Sequence, residues 1–292
     1  MIVSNIIGGL GNQMFQYATA YALSKRLGVD CKLDISEFDA YGLHNGFELQ
    51  RVFNCKLEVA SQAEIRRILD WQAFRFVRYV LNKPLFRFAR KRNLIVEPGF
   101  NFWAGINSVP ENSYLQGYWQ SEQYFNDIPT QIRSEFSFKQ PLDAKNQDLA
   151  EQISNSNAVS LHIRRGDYVS NKKNTAIYEA CSPKYFEDAI NYVGSLIQHP
   201  VLYIFSDDMA WVKSNLKLSY PHVYVDHNKG VNSYIDMWLM SLCKHNIIAN
   251  SSFSWWGAWL NSNVDKIIVA PKRWFSNKTD VTDLLPCSWI RM

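Results

Sequence analysis

Apolar residues open the chain as a short run, Ile2-Val3-Ser4-Asn5-Ile6-Ile7, which predicts a strand. A glycine-rich turn follows, Gly8-Gly9-Leu10-Gly11-Asn12-Gln13, and then the period lengthens. Met14, Tyr17, Ala18, Tyr21 and Ala22 recur at helical spacing over residues 14–27. Gly28 is placed to end that helix, and residues 29–33 predict a second strand. The pattern is less regular over about residues 36–130, where no order of elements is read. From Ala158 onward strands and helices alternate. Strands are predicted at 158–163, 201–205, 222–225, 246–249 and 266–270. Helices are predicted after the Ser182-Pro183 cap and over 233–245 and 254–260. Strands alternating with helices imply right-handed crossovers and a parallel, doubly wound α/β sheet. Ligands of such sheets sit beyond the carboxyl ends of the strands, and the polar clusters of this sequence fall there.

Composition narrows the class. At 292 residues the chain has room for two domains, and 47 % hydrophobic with 20 % charged residues describes a globular protein. Ten Trp, fifteen Tyr and seventeen Phe offer flat faces that suit sugar rings, although most of them are expected to fill cores. A net charge of +4 is too small to indicate nucleic acid but favours a polyanion such as a nucleotide diphosphate. The five cysteines, Cys31, Cys55, Cys181, Cys243 and Cys287, form no CxxC pair, which predicts neither a metal site nor a disulfide framework. With no basic leader and no apolar run of about 18 residues, the expected location is the cytoplasm. One stretch stands apart: residues 66–92 crowd arginine and lysine among Trp71, Phe74, Phe76, Tyr79, Leu81, Phe86 and Phe88. It reads either as an amphipathic helix packed on its own domain or as a basic helix in peripheral contact with the inner membrane.

The candidate chemistry lies at strand ends. His162-Ile163-Arg164-Arg165-Gly166-Asp167-Tyr168 closes a strand, and paired arginines there predict a bound anion, since guanidinium forks match phosphate without a metal. The alternatives are a salt-bridge cluster of Arg164, Arg165 and Asp167, or an Arg-Gly-Asp adhesion tripeptide. The glycine turn at Gly8 lacks both the dinucleotide-fingerprint spacing and the Gly-Lys of a P-loop, yet it sets backbone N–H groups at a helix start. Asn250-Ser251-Ser252-Phe253-Ser254 opens another helix, where the hydroxyls can hold phosphate oxygens or simply cap. Asp236 stands three residues after Ser233, the spacing of a capping box. Asp207 and Asp208 end a further strand as ribose or base acceptors, or as caps.

Three runs, GGLGNQMFQY from Gly8, HIRRGDY from His162 and NSSFSWWGAW from Asn250, together resemble the signatures of the α-1,2-fucosyltransferases, glycosyltransferase family 11. The lack of a membrane anchor resembles the bacterial members. The resemblance implies a GT-B-like α/β fold, two Rossmann-like domains with parallel sheets facing a central cleft. Residues 1–155 would be the acceptor side and 156–292 the GDP-fucose-binding domain. It implies no metal, GDP-β-L-fucose as donor, a galactose-terminated oligosaccharide as acceptor, and inversion to an α-1,2-fucoside. Carried to this sequence, Arg164 would clamp the β-phosphate with His162 beside the nucleotide, and Arg165 and Asp167 would shape the loop. Asp236, by similarity to α-1,6 enzymes, would accept from the guanine edge, and Ser251 and Ser252 would hold the diphosphate. The turn with Gly9, Gly11 and Asn12 would face it from the other domain. A base for the acceptor hydroxyl stays open among Asp167, Asp34 and Glu48. So do a transferase for another GDP-sugar and a catalytically silent nucleotide-sugar or glycan-binding protein.

Overall fold

In the computed structural model the chain folds as two compact units. One is Met1–Lys139 with Asp280–Leu284, the other Gln140–Thr279 with Leu285–Met292. The structure describes residues 1–40, 45–170, 179–277 and 279–292, without the side chains of Ala40, Asp167 and Ser170.

Unit 1 is built on a parallel sheet in the order β2-β1-β4-β3, with β1 Ile2–Asn5, β2 Cys31–Asp34, β3 Leu94–Val96 and β4 Ser113–Gln116. Helix α1, Leu10–Leu27, starts four residues before the periodic run, because Gly9 takes an extended conformation at the cap and the buried Gln13 and Gln16 interrupt the apolar pattern. Gly28 ends it in the left-handed region at φ 65°, its N–H returning to Lys25 and Ser24.

Residues 66–92 do not form one helix, contrary to either reading of that stretch. Helix α2, Gln62–Leu69, starts on a Ser61/Glu64 capping box and stops at Asp70, whose φ of 55° leaves the helical region. A tight turn Asp70–Ala73, helix α3 Arg75–Leu81 and a second turn opened by Pro84 complete the stretch. Their inner side chains Ile65, Ile68, Leu69, Ala73 and Leu81 pack with Val3, Leu94 and Tyr114. Helix α4, Pro129–Glu135, follows β4.

Unit 2 alternates as the sequence predicts. It comprises α5 Ala144–Ser154, β5 Asn157–Ile163, α6 Pro183–Leu196, β6 Pro200–Ser206, α7 Met209–Asn215, β7 His222–Val225, α8 Tyr234–Leu242, β8 His245–Ile247, α9 Ser252–Leu260, β9 Ile268–Ala270 and β10 Ile290–Arg291. The strands are all parallel, in the order β10-β9-β8-β5-β6-β7. Two expectations fail at the edges. The helix predicted over 233–245 ends at Leu242, because β8 hydrogen-bonds on both flanks, to β5 and to β9, and its ladder includes His245. The strand predicted last is not last, since the two-residue β10 pairs outside it. Val159, Leu161, Ile163, Ile204, Ile247 and Val269 bury one sheet face under Phe186, Ala189, Ile190 and Val193 of α6. Helix α8 packs on α9 across Gly257, where a Cβ would lie 3.0 Å from the Met240 side chain.

Candidate active site

In unit 2 the chain runs from β5 outward to β6 and β7, then returns to lay β8, β9 and β10 on the other flank. Strand order therefore reverses between β5 and β8. Loops leaving two such strands diverge and leave a crevice at their carboxyl ends. Residues 162–168 leave β5 there, and residues 249–253 leave β8. The loops are tied together. Tyr168 donates its hydroxyl to the Asn250 carbonyl at 2.9 Å, and the His162 and Phe253 rings lie 5.9 Å apart. Asn250 is fully buried and its side-chain amide donates to the carbonyls of Glu179 and Trp274, both at 2.9 Å. Its role is to fix the loop, with the flanking serines left at the mouth.

The two arginines meet carboxylates that follow β6. Arg164 Nη1 lies 3.2 Å from Asp207 Oδ2, and its guanidinium stands 5.9 Å from the Tyr168 ring centre. Arg165 donates its backbone N–H to Asp207 Oδ1 at 2.9 Å, while its guanidinium covers Trp211 at 4.4 Å, with Nε 3.7 Å from Asp208. Asp208 also caps α7 through the Trp211 N–H. The carboxylates placed against the arginines are thus Asp207 and Asp208; the side chain of Asp167 lies outside the described residues. Each guanidinium keeps about a quarter of its side-chain surface open, 27 % and 26 %, so both are restrained yet reachable.

His162 is buried, and its Nδ1 has no hydrogen-bond partner among the described residues. Burial, followed by the charge of Arg164, lowers its pKa to about 3, which keeps the imidazole neutral. An orphaned buried ring nitrogen beside a phosphate-type site suits a ligand contact and is a poor proton acceptor. Asp236 lies in the first turn of α8, where Ser233 makes no side-chain cap bond. The capping-box geometry is absent, and Asp236 instead accepts from Asn228 Nδ2 at 2.8 Å. Asn228 and Asn146 exchange two amide bonds of 3.0 Å, and His227 Nε2 reaches Asn146 at 3.0 Å. Burial pushes the Asp236 carboxyl up to about 7, against the pull of the Asn228 bond. Ser251 caps α9 by accepting the Phe253 N–H at 3.3 Å. Ser252 opens the same helix, where unpaired backbone N–H groups and the helix dipole favour an anion.

In unit 1 the glycine turn follows β1. Gly8 sits at φ 81°, and a Cβ there would meet Asn12 Nδ2 at 2.8 Å. Gly9 takes the cap position of α1, with Gly11 and Asn12 in its first turn and no acidic side chain beside them. Asn12 accepts from Gln120 at 2.7 Å. Gln13 donates to the carbonyls of Gly8 and Gly46 and accepts from the Glu48 N–H, each at 2.9 Å. Gln16 accepts from Ile7 N–H at 3.0 Å. These two buried glutamines hold the turn against the ends of the sheet.

The glycosyl transferase family 11 model matches residues 94–290. An α-1,2-colitosyltransferase of Escherichia coli is 36 % identical over 297 residues, covering 100 % of this chain and 99 % of its own. This chain belongs to glycosyl transferase family 11. A galactoside α-(1,2)-fucosyltransferase 2 of Sus scrofa is 29 % identical, with 88 % of this chain and 68 % of its own covered. Among solved structures, NodZ α-1,6-fucosyltransferase soaked with GDP-fucose superposes with a TM-score of 0.56 at 14 % identity, covering 89 % of this chain and 91 % of that one. The fold is of the GT-B type that such fucosyltransferases share.

Two of the carboxylates open as bases are occupied in the family 11 chain. Asp34, at the end of β2, accepts from Tyr114 Oη at 2.6 Å and faces Arg78 Nη2 at 3.4 Å, a buried trio. Glu48 is buried with Arg51 at 2.6 Å, and burial raises its pKa. A third carboxyl, Glu97 after β3, escaped the sequence reading. It accepts from the N–H groups of Tyr118 and Trp119 at 2.6 and 2.8 Å, and burial pushes it up to about 7. Nothing in its local sequence marks it, for the turn that buries it is brought by β4, twenty residues on. Asn146 and Asn228 were missed for the same reason: isolated asparagines announce a network only when packing joins them.

Proposed function

We propose that this chain transfers L-fucose from GDP-β-L-fucose to the 2-hydroxyl of a terminal galactose, with inversion. The observation that carries the reading is the pair of arginines, Arg164 and Arg165, held at the reversal point of the unit 2 sheet beside the Ser251-Ser252 helix start. Departure of GDP builds charge on the β-phosphate as the sugar becomes oxocarbenium-like, and fixed donors at that phosphate give the largest assistance. Arg164 takes that role, with Ser252 and the Ser251 hydroxyl proton completing the diphosphate cradle. Asp207 and Asp208 orient the arginines before the donor arrives. His162, neutral, contacts the nucleotide through its free Nδ1, and Asp236 accepts from the guanine edge. Arg165 adds its guanidinium to the donor site, and with Asp167 it shapes the loop. Within unit 1 the helix start at Gly9, Gly11 and Asn12 offers backbone N–H groups of the kind that suit an anion. The acceptor hydroxyl attacks opposite GDP, its proton passing to a carboxylate or to water.

A second donor is favoured by the whole-length similarity to a colitosyltransferase, since colitose is fucose without its 3-hydroxyl. GDP release measured with GDP-fucose, GDP-colitose and GDP-mannose, each with lactose and a panel of β-galactosides, separates the cases. Fastest release with GDP-fucose and a 1,2 linkage by NMR is the expected result. Preference for another donor moves the specificity, and binding without turnover on every galactoside overturns the transferase reading.

A further inference from the structure

On the outer side of the α2–α3 region, unit 1 exposes large apolar side chains that its core does not use. Trp71 is 45 % exposed, Phe74 62 %, Phe76 76 %, Tyr79 65 %, Leu85 77 % and Phe88 85 %. They fall within residues 71–88 and include every exposed phenylalanine and tryptophan among the described residues. The inner side of the same segment packs on the sheet, so these groups are the outward face of a folded element. Cations surround them. Residues 66–92 hold nine Lys and Arg against a single acid, Asp70, within a chain whose net charge is +4, so the remainder of the molecule is net negative. Arg78 is committed to Asp34, Arg75 to Glu37 and Lys91 to Asp70. Arg66, Arg67, Arg87 and Arg92 are exposed and make no ion pair among the described residues, and Lys83 lies 5.4 Å from the Tyr79 ring centre.

We infer that this face docks on an anionic lipid bilayer. Exposed phenylalanine and leucine have no favourable place in water when gathered in one patch, and the cations around them select the partner. An isologous contact with a second copy would set this cationic face against itself. Phospholipid headgroups of negative charge match it, while the interfacial region accepts aromatic rings and lets lysine and arginine stems extend to the phosphates. The face is carried by short helices and turns, so the protein lies on the membrane and does not cross it. The inference is independent of the donor and acceptor proposed above.

The test is co-sedimentation of the full chain with phosphatidylglycerol vesicles and with phosphatidylcholine vesicles, from low salt to 1 M. Binding to phosphatidylglycerol at low salt should exceed that to phosphatidylcholine at least tenfold, and should fade as the Debye length contracts to about 3 Å at 1 M. Phe76→Ser with Phe88→Ser should lower partitioning at least tenfold. So should Arg66→Glu with Arg67→Glu, each cation being worth about fivefold. Both doubles alter exposed side chains and should keep the parent melting temperature and the parent rate on a soluble acceptor. Equal, negligible pelleting with both lipids at low salt overturns the inference. Lipid binding that neither double variant weakens overturns it as well. Self-association, or capture of a single-stranded oligonucleotide, that the Phe76→Ser, Phe88→Ser double abolishes while vesicles stay unbound gives the face to another partner.

Discussion

Burial moves Asp236 and His162 in opposite directions, because it penalises the charged form of each: the acid rises to about 7 and the base falls to about 3. Asp236 therefore makes the sharper prediction. Its folded pKa exceeds the usual aspartate value of about 4, so its contribution to stability is present below that value and is lost as pH rises through about 7. Asp236→Asn removes that loss and should melt no lower than the parent at pH 8. Nucleotide binding runs the other way. In the proposed role guanine would donate to the ionised carboxylate, so GDP affinity should weaken as pH falls through about 7, and this component should vanish in Asp236→Asn, which should bind more weakly at pH 8. Calorimetric titration with GDP across pH 5.5–8.5 reads both, and equal affinities at every pH would remove Asp236 from the guanine site. Arg164→Ala should lower kcat by roughly 10²–10³, the scale of one lost charge-stabilising donor, and Arg164→Lys should recover only part of it, lacking the fork. A near-parental kcat in the alanine variant would place the phosphate elsewhere. The placement of Arg164 and Arg165 at a strand end and of Asp236 near a helix start was legible because such ends are readable locally. In the sequence Asp207 and Asp208 read only as nucleotide acceptors or caps, and their contacts with the arginines are not legible there, since only the sheet brings the end of β6 beside that of β5.

Elements with strong local signals were legible and the rest were not. The β5 to β9 alternation is written in apolar runs between polar loops, whereas β10 is two residues long and exists only because β9 offers an edge. Residues 66–92 carry an apolar count that suits one helix, but Asp70 and Pro84 divide it, and five of its six aromatics are exposed. The turn from β1 into α1 is the clearest case of element and residue acting together. Its glycines were read as an anion mouth, while the adjacent Gln13 and Gln16, whose polar ends are buried, do the fastening. Gly8→Ala should then destabilise by about 1–3 kcal/mol, the usual cost of a side chain held in the left-handed region. The added Cβ also presses Asn12, so Gly8→Ala with Asn12→Ala should regain part of the loss in thermal unfolding. No change in melting temperature for Gly8→Ala would mean that the turn relaxes freely and that its glycine serves another purpose.

At the scale of the molecule the charge is divided by location. The basic residues of 66–92 more than account for the net +4, so the remaining residues sum to a net negative charge, and at the β5 end each of the paired arginines faces a carboxylate. Chain order hides part of this organisation too: Asp280–Leu284 returns to unit 1 before the last residues rejoin unit 2, a path that no periodicity announces. Asp283 accepts from the Phe102 N–H at 3.0 Å and from Gln123 at 3.0 Å, so the return is fastened by side chains far apart in sequence. The paired guanidiniums at that strand end lead to the last prediction. Two guanidiniums, pre-oriented by Asp207 and Asp208 and flanked by a helix start, can neutralise a leaving diphosphate in the way a divalent cation does in other transferases. Transfer from GDP-fucose should therefore persist in EDTA at a rate close to that in buffer alone, and added magnesium or manganese should change it by less than about twofold. The measurement is GDP release with a galactoside acceptor after exhaustive dialysis against chelator. Complete loss of turnover that magnesium or manganese restores would show that the arginines alone do not carry the leaving-group charge.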